Sequence, residues 1–207
     1  MLNIFISKVK YAFYIMLHPF KGFWNLKREK IGTVSSASFY LVLLSLVSVA
    51  SVQLTGFIVN YNNTLNTNLF YVAIRVVLIF MVWVLANWSV TTLIEGEGKL
   101  KDIYIATAYA LVPYICSAII NIVLSNVIVL QEATFYYLIQ SIGLIWSGLL
   151  LLIGLLTIHQ LSMMKTIVTV IVAVIAMIII MFLVLMMVSL TQQIINFVSL
   201  ILQEVMS

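Results

Sequence analysis

The sequence predicts an all-α, polytopic membrane fold of five transmembrane helices, with the N-terminus inside and the C-terminus outside. Three observations predict it. First, hydrophobic residues make up 64% of the 207 positions and charged ones 8%, and mean hydropathy is +1.22. A soluble domain averages about a quarter charged residues, because water must solvate its surface. Second, five apolar runs are each long enough, at about 1.5 Å per residue, to cross about 30 Å of hydrocarbon. Third, the basic residues fall in alternate connecting segments, the asymmetry that sets orientation.

Residues 1–30 read as a basic, amphipathic segment at the cytoplasmic interface. They hold Lys8, Lys10, Lys21, Lys27, Arg28 and Lys30, six of the ten Lys and Arg in the chain. Leu2, Phe5, Ile6, Val9, Phe13, Met16, Leu17 and Phe20 recur at helical spacing, with Asn3, Ser7, Lys10, Tyr14, His18 and Lys21 on the other side. Such a helix either lies in the membrane interface or packs against the bundle. Pro19 and Gly22 are expected to end or bend it, and Trp24 suits the headgroup level. Lys8 and Lys10 interrupt the apolar stretch, so no cleavable signal peptide is expected.

The first span is predicted over residues 38–59, followed by an uncharged polar loop over 60–68. The second covers 69–93 and leads into residues 95–102, the most charged loop, with Glu95, Glu97, Lys99, Lys101 and Asp102. The third covers 103–124 and contains Pro113, which removes a backbone donor and should kink the helix beside Tyr109 and Tyr114. A short connection over 125–134 precedes the fourth span, 135–158. A turn over 159–165 opens the fifth, 166–190. Residues 31–190 thus form the transmembrane domain. Residues 191–207 are too few for another span and a turn, and Ile194, Ile195, Val198, Ile201, Leu202 and Val205 share one face. This amphipathic tail either extends the fifth helix or lies in the outer interface.

Few residues suggest chemistry. The single cysteine, Cys116, excludes an intramolecular disulfide and a thiolate zinc cluster. The 95–102 carboxylates are interleaved with lysines, and Gly96 and Gly98 suit a mobile, solvated turn better than a metal site. His18 and His159 lack a third ligand, and no metal or cofactor is expected. Arg75 lies about one and a half turns into an apolar helix; such charges are functional candidates unless they snorkel to the headgroups. Asn87 and Asn121 place amides where they can bond between helices. No nucleophile, histidine and carboxylate fall at one depth, so no enzymatic activity is expected.

Three stretches resemble the Yip1 family, in its bacterial branch. They are His18-Pro19-Phe20-Lys21-Gly22-Phe23 leading through residues 27–32, then residues 96–102 with 105–114 (Tyr109-Ala110-Leu111-Val112-Pro113 included), and residues 154–165. The resemblance implies a five-helix domain with a cytoplasmic N-terminus, in the bacterial plasma membrane. Eukaryotic members act in vesicle traffic and associate with Rab-type GTPases. The long N-terminal region of those members and an Asp-Leu-Tyr-Gly-Pro stretch are not seen here, so Rab binding is not expected.

Two function classes follow. One is a non-enzymatic scaffold or accessory subunit, meeting membrane lipids, other membrane proteins or itself through the basic N-terminal helix and the 94–102 loop, with no nucleic acid as partner. The other is a small transporter, or a permease subunit working with an ABC-type ATPase, in which Arg75, Asn87, Asn121 and the Pro113 kink line a path beside Tyr109.

Overall fold

A computed structural model of the chain describes residues 2–60, 67–94 and 96–206. Most of the polar 60–68 loop and Glu95 lie outside the described residues, as do the side chains of Leu2 and Val205. The described residues are helical throughout, apart from short connections. The helices are α1 (Leu2–Leu17), α2 (Pro19–Arg28), α3 (Val34–Leu54), α4 (Leu69–Leu93), α5 (Leu100–Ala110), α6 (Val112–Ser125), α7 (Ala133–His159) and α8 (Met163–Met206), with a 3-10 turn at Leu130–Glu132 before α7. Backbone polar groups find no water in lipid, so each apolar run must satisfy its own, and a helix does this. Five segments are long and apolar enough to span a membrane: α3, α4, the α5–α6 pair, α7 with its preceding turn, and α8.

The first span starts four residues earlier than hydropathy suggests. Thr33 and Ser36 cap it reciprocally, each side chain reaching the other's backbone N–H. It also ends earlier, at Leu54. Beyond it the Gly56 N–H donates to Ser125 Oγ at 2.9 Å, and Asn126 Nδ2 reaches the Leu54 carbonyl, tying the ends of α3 and α6 together.

The α5–α6 span is the hub. It packs on α3, α4 and α7, and its inner face is filled by Ile103, Ala106, Tyr109, Ala110 and Ile115. Pro113 does more than bend it. The helix breaks at Leu111, and Pro113 enters α6 in its first turn, where a missing donor is tolerated. The Tyr114 N–H is taken up by Ser147 Oγ of α7 at 2.9 Å. Four residues before Ser147, Gly143 lies against Ser117 and the Pro113 carbonyl. This small-xxx-small pair lets α6 and α7 approach closely.

The tail continues α8 as one helix of 44 residues, about 66 Å long, so the choice left open by the sequence falls to extension. Its first part packs mainly on α4, through buried Thr166, Thr169 and Ala173. From residue 181 to 203 every position is exposed.

Candidate functional site

The stretches at residues 18–30, 96–109 and 154–159 meet at one end of the bundle. Phe23 of α2 is fully buried, its ring resting on Gly154 of α7, where a side chain would stand 3.1 Å from the ring. One turn on, Lys27 Nζ donates to the Ile158 carbonyl at 2.7 Å and to Glu97 Oε2 at 3.1 Å. It therefore caps the C-terminal end of α7, where carbonyls lack helical partners and a cation suits the helix dipole. It also pins the 96–99 loop to α2.

That loop is not the free turn its glycines suggest. The Gly96 N–H bonds to the Thr91 carbonyl, and the Gly98 N–H donates to His159 Nδ1 at 3.2 Å. A Cβ on Gly98 would press into the imidazole. His159 is 2% exposed, and its Nε2 finds no partner among the described residues. Because Nδ1 accepts, the neutral ring carries its proton on Nε2. Asp102 accepts from the Lys99 N–H at 3.2 Å and so starts α5.

The basic residues divide by role. Lys27 is structural, with 19% of its side chain exposed. Lys10, Lys21, Lys30, Lys99 and Lys101 are exposed, and Lys8 is half-buried. Arg28, also exposed, stacks its guanidinium over the Trp24 ring at 4.3 Å. The Lys27–Glu97 contact is the ion pair found among the described residues. Glu97 is 61% exposed, so water screens that pair and the carbonyl bond matters more. Lys27→Met is expected to cost about 1–2 kcal/mol, while Glu97→Gln stays within about 0.5 kcal/mol. Thermal unfolding in mild detergent checks this, and equal losses in the two variants would reverse the assignment.

Above this end, α1 is docked by tyrosines. Tyr109 is fully buried; its hydroxyl donates to the Lys8 carbonyl at 2.9 Å and lies 2.9 Å from Ser36 Oγ. The Tyr40 hydroxyl donates to the next carbonyl, Val9. Ala12 and Ile15 are buried beneath, while Ile6, Phe13 and Leu17 face outward. The apolar positions of α1 thus divide into a bundle-facing and an outward-facing stripe, which the sequence pattern merges into one.

The intramembrane polar candidates are not brought together. Asn121 Nδ2 links α6 to α7 through the Tyr136 carbonyl and Gln140 Oε1. Asn87 is fully buried with neither amide atom partnered among the described residues. Arg75 lines a separate cleft that includes neither asparagine nor Pro113. Sequence reading missed Gly143, Ser147 and the Lys27 cap. The glycine-to-serine spacing was a usable signal for the first two, whereas the cap depends on residues 131 positions apart.

A family model described as the Yip1 domain matches residues 13–186, which takes in the last turn of α1, α2 through α7 and the packed part of α8. No curated protein and no solved structure matches the chain.

Proposed function

The chain belongs to the Yip1 domain family, and from that premise we propose that this integral membrane protein is a non-enzymatic scaffold or accessory subunit of a membrane complex. It acts in the bacterial plasma membrane with its N-terminus in the cytoplasm. Its partners are anionic lipid headgroups and other membrane proteins, met through α1, α2 and the loop before α5.

One observation carries this reading. The segments at the α2 end hold nine basic and four acidic side chains, and most of the cations are exposed on a rigid frame rather than used to hold it. Lys27, Phe23 and His159 do the holding. A fixed basic surface beside a membrane attracts anionic lipid and acidic partner segments by about 1 kcal/mol per cation.

The test reverses the exposed charges and spares the frame. Lys10, Lys21, Arg28 and Lys30 are replaced together by glutamate, and the tagged protein is purified from native membranes in mild detergent. Wild type is expected to bring stoichiometric membrane chains with it and the variant to lose them. Undiminished co-purification with the charge-reversed protein sinks the reading.

A further inference from the structure

The basic side chain at the other end of the bundle is Arg75, and its surroundings call for a ligand. It sits six residues past the start of α4, about 9 Å along the helix. Among the described residues its guanidinium has neither an ion-pair partner nor a hydrogen-bond acceptor. It lines a cleft of about 410 Å³ between α3, α4 and α6, with Ser51 on the facing helix. The hydroxyls of Ser48 and Ser51 donate to carbonyls of their own helix.

This cleft adjoins a second, of about 320 Å³, that runs inward to Phe80 and Trp83. The two share Ser48, Val76, Ile79 and Tyr114 as walls. From Arg75 to Trp83 is eight residues, about 12 Å of rise. One end of the combined slot is therefore a cation, and the other is apolar and aromatic. Snorkelling to bulk headgroups would need no slot. A solute path would need polar walls further in, where Phe80, Trp83, Leu111 and Met177 stand instead.

We propose that this slot binds an anionic phospholipid, its phosphate on the Arg75 guanidinium and one acyl chain lying along α4 to Trp83. A guanidinium matches phosphate geometry with two parallel donors, and the apolar walls match the chain. Ile79, a wall of both parts of the slot, is half exposed, so a lipid enters sideways from the bilayer while its second chain stays there. That lateral opening favours a membrane phospholipid over a free fatty acid. The site is independent of the basic α2 surface and stands or falls apart from it.

The full chain is reconstituted in phosphatidylcholine bilayers carrying acyl-brominated phosphatidylglycerol, or acyl-brominated phosphatidylcholine at the same mole fraction. Bromine quenches tryptophan on contact, and a Trp83→Phe protein isolates the Trp83 signal from that of Trp24, Trp88 and Trp146. Brominated phosphatidylglycerol is expected to quench Trp83 about fivefold more effectively, as one lipid-facing cation implies. Arg75→Gln should abolish the preference and Arg75→Lys should keep most of it. Ser48→Phe, which plugs the junction and leaves the charge in place, should protect Trp83 from both lipids. Equal quenching by the two lipids overturns the proposal, as does a preference that survives Arg75→Gln. Quenching by a brominated fatty acid with none by the phospholipid overturns the assignment to phospholipid.

Discussion

Gly143→Val is expected to be the most damaging single substitution in the bundle, costing about 3 kcal/mol or more, while Gly148→Val on the same helix changes little. A Cβ at Gly143 would fall inside contact distance of both the Oγ and the Cβ of Ser117, and 3.3 Å from the Pro113 carbonyl. A hydroxyl can rotate away, but a Cβ is fixed to its backbone, so relief requires α6 and α7 to separate. Separation has a second consequence. The Tyr114 N–H, displaced from regular helical bonding by the break at Leu111, loses the Ser147 hydroxyl that satisfies it. A backbone donor without a partner inside a membrane costs several kcal/mol. At Gly148 a Cβ meets nothing within 4 Å. Thermal unfolding of the two variants in one detergent, followed by helical circular dichroism, separates them. Similar midpoints would mean that α6 and α7 are not held by close backbone approach.

The same helix pair shows what a sequence can and cannot yield. Five spans are legible because run length and hydropathy are local properties, and the second, residues 69–93, coincides with α4. The limits of the first are missed because caps set them: Thr33 with Ser36 at one end, and at the other the Gly56 turn closed by Asn60 on the Val52 carbonyl. Hydropathy averages over such features. The continuous α8 was legible in principle, since residues 163–207 hold no glycine or proline to stop a helix. At the basic end, composition reveals that cations gather but not which one is structural. Lys27 differs from Lys21 or Lys30 only through Ile158 and Glu97, which the fold delivers from far along the chain. Gly98 looks like loop punctuation until His159 is set behind it.

Removing the two hydroxyls that hold α1, as Tyr40→Phe with Tyr109→Phe, is expected to free that helix while leaving the five-span bundle closed. Each phenol keeps its ring, so the edge-on packing of the two rings, 5.2 Å between centroids, is retained. What goes is the pair of bonds to the Val9 and Lys8 carbonyls, together with the Tyr109 contact to Ser36 Oγ, whose hydroxyl keeps its bond to the Thr33 carbonyl within the α3 cap. The two α1 carbonyls lie within a helix and keep a lone pair engaged there, so neither is stranded and the cost stays near the ordinary net value. At about 1 kcal/mol or slightly more per bond, the pair contributes about 2–3 kcal/mol to docking. The open population of α1 should then rise about 30- to 150-fold. Amide hydrogen exchange in detergent reads this directly: residues 2–17 should exchange faster, with α4 and α7 as unchanged internal references. Faster exchange across the whole bundle would make the tyrosines core supports rather than a latch for α1. Unchanged exchange in α1 would mean that burial of Ala12 and Ile15 alone holds it. In the scaffold reading, α1 presents its charges from a fixed position, so the freed helix should also weaken partner capture even though every lysine is still present.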